Sequence, residues 1–261
     1  MKSVFLVLLW QIIASVKVEA GLWNRQKVAT FDLFDNGASE GSVKISLKQK
    51  EFPSGEDDEH SGELFAMKMS QYINVTKYGM EPGTVRSTKA FREDGERIVN
   101  FQQLLPDTSV AMRRRIYLVA EGLEFIWPFV KEGYQQVVSS RALTPVYPDK
   151  PVILESVSDS PRVFKVLNFF GRTEGQALID NALKIEGKKG LHRSTVGSKV
   201  GAEDEGAQVD YGRTSDNAWD SETPAAKAMI TRSFNLTGIE EDAGKIDGLQ
   251  IVRYTPGKFY K

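Results

Sequence analysis

Cysteine is absent from this 261-residue chain, and histidine occurs only twice, as His60 and His192. Without cysteine there are no disulfides, so stability rests on packing and hydrogen bonding whatever the redox compartment. The shortage of histidine bears on metal chemistry. A non-haem Fe(II) oxygenase needs two imidazoles and one carboxylate on one face of the metal. Neither His60-Ser61-Gly62 nor His192-Arg193-Ser194 has a carboxylate two residues on. Charge of one sign is missing too: a net charge of -1 gives no general attraction to nucleic acid or anionic lipid. A functional partner must therefore be sought in local sites.

Long apolar runs are absent except at the start. One lysine precedes an apolar run from Val4 to Val16, and Val18-Glu19-Ala20 carries small residues where a signal peptidase reads. Residues 1–20 are expected to be a signal peptide cleaved after Ala20, with the endoplasmic reticulum lumen or secretion as the destination. The competing reading is an uncleaved anchor, but the run falls short of the ~20 apolar residues a spanning helix needs and is interrupted by Gln11. After cleavage no stable membrane span is expected. The sequons at Asn74 (Asn-Val-Thr) and Asn235 (Asn-Leu-Thr) are candidate glycosylation sites on that route.

Residues 21–150 read as a strand-rich region of unknown type. Val28 to Phe34, Val43 to Leu47 and Leu64 to Val75 are candidate strands, and Glu56-Asp57-Asp58-Glu59 reads as a solvated loop. Leu105 to Glu121 fits a helix capped by Asp107 or Thr108, with Met112, Ile116 and Val119 on one face; Ile116 to Val119 equally fits a strand. Arg113, Arg114 and Arg115 would lie on a solvated face. Phe125-Ile-Trp-Pro-Phe129 reads as an apolar core knot. Pro145, Pro148 and Pro151 resist helix and central strand, which places a domain boundary at roughly 145–160.

The remainder is more regular. Val163 to Phe169 alternates like a strand. Thr173-Glu-Gly-Gln176 is a capping-box pattern opening a helix to about Glu186, with Leu178, Ala182 and Ile185 buried and Gly187 beyond its end. Gly201 to Gln208 is polar and acidic and reads as a loop. Thr223-Pro224 predicts a second helix, with Ala226, Ile230 and Phe234 as its apolar stripe and Gly238 as its stop. Leu249 to Tyr254 reads as a strand with Gln250, Val252 and Tyr254 on one face, followed by a type II turn at Thr255-Pro-Gly-Lys258.

Taken in order, Val163–Phe170, the helix ending near Glu186, Tyr211-Gly-Arg-Thr-Ser-Asp-Asn-Ala-Trp219, Asn235-Leu-Thr-Gly238 and Leu249–Lys261 resemble the first half of a prolyl 4-hydroxylase catalytic domain. The likeness is to the collagen-type α subunits and covers residues 163–261, taking 160–261 as the domain. It implies an α+β fold: a partial double-stranded β-helix, or jelly roll, with supporting helices, preceded by the β-rich N-terminal region. It also implies an Fe(II)- and 2-oxoglutarate-dependent dioxygenase, sustained by ascorbate, that hydroxylates peptidyl proline at C4. The partner would be a proline-containing polypeptide.

By the same resemblance, Tyr254 points toward the cosubstrate and Tyr260 toward the peptide near the metal. Arg213 and Ser215 lie on a loop that closes over the peptide, and Trp219 packs beneath it. In the family a His-x-Asp element follows the Tyr-x-x-Gly-x-x-Tyr stretch, and a second histidine comes later. The chain is thus expected to be truncated before its metal-binding motif and inactive as it stands. The alternative is a lumenal module that holds proline-rich peptides without catalysis. Three departures stand out: Glu174-Gly175 replaces a common Glu-Cys, Asp220 replaces a usual leucine, and residues 21–150 are unlike the α-subunit dimerisation region. The family's tetramer and disulfide-isomerase partner are therefore not carried over.

Overall fold

The structure, a computed structural model, describes residues 27–77, 79–81, 83–105, 114–184, 190–194, 212–241 and 247–260. The expected signal peptide, Asp107, Thr108, Met112, Arg113, Ile185, Gly187 and the acidic loop 201–208 lie outside them. The fold is α+β, with three sheets and few helices. Its two compact units are Met1–Glu93 with Arg97–Leu123, and Asp94–Glu96 with Glu124–Lys261. Among the described residues no helix is long and apolar enough to cross a membrane.

The first unit is a four-stranded sheet built from β1 (Val28–Asp35), β2 (Val43–Lys48), β3 (Ser87–Arg92) and β4 (Arg115–Ala120), in the order β2-β1-β4-β3. Strands β1 and β4 run parallel, and the other pairs are antiparallel. Alternation puts Ala29, Phe31 and Leu33 on one face, where the register sets Ala29 against Leu47 and Phe31 against Ile45. That face is covered by α1 (Asp58–Met69), whose Phe65, Ala66 and Met69 are fully buried. Central strand β4 is buried at five successive residues, Ile116 to Ala120, as expected where both faces are covered.

Three expectations fail in this unit. Of Leu64 to Val75, read as a strand, the first half completes α1 and the rest is turn and loop, and the acidic patch read as a loop is where that helix begins. The Asp57 carboxylate accepts the His60 N–H at 2.8 Å, satisfying a free first-turn donor, and Asp58 and Glu59 complement the positive end of the helix dipole. Of the arginine triplet, Arg114 and Arg115 do not form a solvated face. The Arg114 guanidinium donates to the Thr30 carbonyl at 3.1 Å, and Arg115 lies 5.3 Å from the Phe34 ring centroid beside Glu93. Of the two readings for residues 116–119, the strand is the one observed.

In the second unit β5 (Gln135–Val137), β6 (Ile153–Asp159) and β7 (Arg162–Leu167) form an antiparallel sheet in that order. The boundary expected at 145–160 falls inside this unit. The prolines there lead into β6 instead of linking domains, because Val152 and Leu154 share a small core with Val138 and Leu143. Within the apolar knot Phe125 and Pro128 are buried, Ile126 is exposed, and the Trp127 indole N–H donates to the Leu236 carbonyl at 2.6 Å.

Helix α2 (Arg172–Lys184) starts earlier than the Thr173 box implies. Glu174 reaches back to the Gly171 N–H at 2.9 Å, while Gln176 bonds Asp180. Helix α3 (Pro224–Thr237) matches the reading closely: the Thr223 hydroxyl caps Ala226 N–H, Pro224 opens the helix, and Gly238 closes it at a φ of 69°. The third sheet comprises β8 (His192–Arg193), β9 (Asp216–Asp220) and β10 (Leu249–Arg253), in the order β10-β9-β8.

Gly62 gives a direct test of packing against propensity. It sits inside α1, where alanine is ordinarily better than glycine by about 1 kcal/mol. A Cβ there, however, would lie 2.6 Å from the Ile98 carbonyl oxygen and 3.0 Å from the Val99 Cα, both backbone atoms. Gly62→Ala is therefore expected to destabilise the protein by roughly 1–3 kcal/mol, read as a lower urea midpoint.

Candidate functional site

Strand β9 organises the residues that the sequence singles out. It pairs with β10 through Asp216↔Arg253, Asn217↔Val252, Ala218↔Ile251, Trp219↔Gln250 and Asp220↔Leu249. It pairs with β8 through His192↔Asn217 and Arg193↔Asp216. Cross-strand partners share a face and neighbours alternate. Asn217, Trp219, His192, Gln250 and Val252 therefore occupy one face, and Asp216, Ala218, Asp220, Arg193, Leu249 and Ile251 the other. The β8–β9 register continues beyond the strands: the Ser194 N–H donates to the Ser215 carbonyl at 3.0 Å, and their hydroxyls lie 2.9 Å apart. Ser215 thus falls on the Trp219 face, and Tyr254 continues the alternation of Gln250 and Val252 onto it.

Past the turn at Thr255–Lys258 the chain returns to β9. The Thr214 N–H donates to the Phe259 carbonyl at 2.8 Å, the Phe259 N–H donates to the Thr214 hydroxyl at 2.6 Å, and Arg213 pairs with Tyr260. The Arg213 guanidinium lies 5.4 Å from the Tyr260 ring centroid, and its Nε reaches the Ser215 hydroxyl at 3.4 Å. Arg213, Ser215 and Tyr260 are thus brought into one cluster. The structure also corrects one expectation: Trp219 does not pack beneath a loop but is 40% exposed, beside Val252 at 39%, with Tyr254 at 47% and Tyr260 at 63%. This is an aromatic face with a polar centre, in which Ser194 and Ser215 are fully buried. Strand β10 is the edge of its sheet, and its outer side has no strand partner among the described residues.

The reverse face carries the charges. The Asp216 carboxylate accepts from Lys258 Nζ at 2.9 Å and from the Arg253 guanidinium at 3.2 Å. The hydrogen bond from Lys258 holds its carboxyl below the usual aspartate value against the opposing effect of burial, and Arg253 adds to the lowering. Asp220 receives the Glu222 and Thr223 N–H groups at 3.0 Å and the Thr223 hydroxyl at 2.6 Å. Burial pushes its carboxyl up, and those hydrogen bonds bring it below the usual value. Asp220 therefore has a local role: it braces the α3 cap. Neither Asp216, Lys258 nor Ser194 was singled out in the sequence, because their meeting depends on strand register.

The remaining candidates are dispersed. His192 is exposed, with Nδ1 at 2.7 Å from the Gly190 carbonyl, and His60 lies in α1 of the other unit. Among the described residues no three side chains of metal-ligating type converge. Among the described residues neither histidine has a neighbouring ligand set that fits an Fe(II) centre. Asn74 is exposed in a loop, and the Thr76 hydroxyl of its sequon donates to Asp35 at 2.5 Å. Asn235 is exposed in the last turn of α3. A cavity of about 760 Å³ in the first unit is lined by Lys68, Tyr72, Asn74 and Arg86 among others, none of them marked for cosubstrate or peptide. No protein-family model, curated protein or solved structure matches this chain.

Helices α2 and α3 are joined by an ion pair close to this sheet's supporting elements. The Arg232 guanidinium donates to Glu174 at 2.8 and 3.3 Å and to the Phe169 carbonyl at 2.6 Å. The Arg232 hydrogen bond holds the Glu174 carboxyl below its ordinary value of 4.5, with burial opposing and the Gly171 N–H assisting. A depressed carboxylate contributes stability above its unfolded value and loses it as pH falls through the lower folded value. Arg232→Met is expected to cost on the order of 1–3 kcal/mol near neutral pH, between the ranges for exposed and buried pairs. Urea unfolding should show that loss shrinking at about pH 3, where Glu174 is protonated in the unfolded chain.

Proposed function

We propose that residues 190–260 hold a proline-containing polypeptide, as the substrate-binding part of a domain of the prolyl 4-hydroxylase type. The observation that carries this reading is the shared face of Arg213, Ser215, Trp219, Tyr254 and Tyr260, set by the register of β8, β9 and β10. Aromatic surfaces suit extended proline-rich segments, because the preformed ligand loses little entropy and its rings lie flat on aromatic side chains. The Arg213 guanidinium, held beside the Tyr260 ring, supplies a donor for peptide carbonyls next to those aromatics, and the buried serine pair sets the backbone beneath it. On this reading the sheet is part of a jelly roll, and Tyr254 faces 2-oxoglutarate.

Hydroxylation at C4 belongs to the proposal only in so far as the family resemblance carries it. Iron, when held by two imidazoles and a carboxylate, supplies the oxidising chemistry in that family. The two histidines described above do not supply that set, so the role argued for these residues is to bind and orient the peptide. The second reading is a lumenal module that holds proline-rich peptides without oxidising them. Lumenal residence, ascorbate dependence and glycosylation at Asn74 and Asn235 are parts of the same proposal.

Calorimetric titration with an oligoproline peptide and with a glycine-serine peptide of equal length tests the reading. The expected outcome is binding of oligoproline alone, weakened about tenfold by either Trp219→Ala or Tyr260→Ala, since buried aromatic contacts concentrate the energy of such surfaces. Equal affinity for the two peptides would remove the basis of the proposal. Succinate release from 2-oxoglutarate, Fe(II) and ascorbate, stimulated by oligoproline, would favour the enzyme over the non-catalytic module.

A further inference from the structure

We propose that Asp216 is a positioning residue: its carboxylate latches residues 254–260 to β9 from the face opposite the peptide, and peptide affinity depends on that latch. The ligand in this proposal rests on the peptide-holding reading above; the latch itself does not. The need for a latch follows from the register. Between Asp216↔Arg253 and Arg213↔Tyr260, residues 254–259 stand opposite only Thr214 and Ser215, so the ladder is interrupted by a turn. That turn is closed by the Lys258 N–H to the Thr255 carbonyl at 3.0 Å and by Gly257 at a φ of 84°. Burial cannot hold the returning arm, because Tyr254, Phe259 and Tyr260 are 47%, 43% and 63% exposed.

Ionic and hydrogen-bonded contacts do hold it. Lys258, just before Phe259, and Arg253, just before Tyr254, both donate to Asp216, so one carboxylate grips both ends of the turn. Arg193, opposite Asp216 on β8, donates to the Thr214 carbonyl at 2.6 Å and steadies the backbone that Phe259 meets. With its turn fixed, the arm has one place to land: Thr214 exchanges hydrogen bonds with Phe259, and Tyr260 reaches Arg213. Fixing the arm in advance raises affinity by removing an ordering cost that binding would otherwise carry.

Amide hydrogen exchange in the full chain tests the latch. Asp216→Asn is expected to speed exchange at Thr214 and Phe259 about tenfold or more, while the β9–β10 ladder and α3 keep their protection. Lys258→Gln should do the same, the double variant should add nothing beyond the larger single effect, and Asp216→Glu should restore protection. Unchanged exchange at Thr214 and Phe259 would overturn the latch. So would a uniform loss across the sheet, the mark of a merely structural carboxylate. Oligoproline affinity measured in the same variants should fall about tenfold with the arm released. Wild-type affinity in Asp216→Asn with a released arm overturns the link to binding. Failure of the unaltered protein to bind oligoproline, with the exchange pattern as expected, sinks the peptide reading and leaves the latch standing.

Discussion

The register of β9 between its two neighbours is the constraint on which the candidate site depends. Side chains alternate with a period of two, so a slip of one residue would exchange the faces of Ser215, Asn217 and Trp219 with those of Asp216, Ala218 and Asp220. The composition of the two sets makes that slip costly. Ala218 is fully buried and Asp220 nearly so, the latter with its carboxylate engaged at the start of α3. A slipped strand would bury Trp219 where an alanine fits and remove the bonds of Asp220. The exposure of Trp219 is thus maintained by the packing of Ala218 and the bonds of Asp220 on the other face.

How much of this was legible in the sequence depends on whether the signal was local. Thr223, Pro224 and Gly238 act through their own backbone and immediate neighbours, and the α3 boundaries follow from them. The turn at Thr255–Lys258 is equally local, since Pro256 and Gly257 carry their dihedral preferences wherever they occur. Leu64 to Val75 misled because a mixed apolar and polar run satisfies both periods. Asp57, which decides for helix, lies upstream within a stretch whose acidity looked like solvation. The Asp216 cluster was illegible for a different reason: Arg193, Asp216, Arg253 and Lys258 come from three segments, and their meeting is a property of pairing alone.

The first unit shows the same dependence on tertiary context. Arg114 and Arg115 belong to a basic triplet that reads as surface, yet β4 carries Arg115 to a position where its side chain is 11% exposed and Glu93, at 6%, lies 3.9 Å away. The Arg115 charge also meets the face of the Phe34 ring. Tyr117 stacks on Phe34 at 5.3 Å, and burial pushes its phenol up to about 12, against the lowering influence of nearby Arg115. Composition predicts neither arrangement, because the apolar run that follows Arg115 draws the arginine inward with the strand.

The charges on one face of the β8–β9–β10 sheet also manage its edge. An exposed edge strand invites pairing with any extended chain, and natural sheets blunt it with charge and with bulges. Here β10 ends in Arg253 and passes at once into a turn whose two ends are tied to one carboxylate on the next strand. That geometry interrupts the edge over residues 254–259 before Tyr260 pairs with Arg213, which shortens the template for indiscriminate strand addition. The same excursion delivers Tyr260 to Arg213. A proline-rich ligand, lacking the N–H groups that edge pairing needs, would then be read by the aromatic face and not by the backbone ladder. On the proposed reading, selectivity for such a ligand over an ordinary extended peptide would come from the charge arrangement that protects the edge as well as from the aromatic contacts themselves.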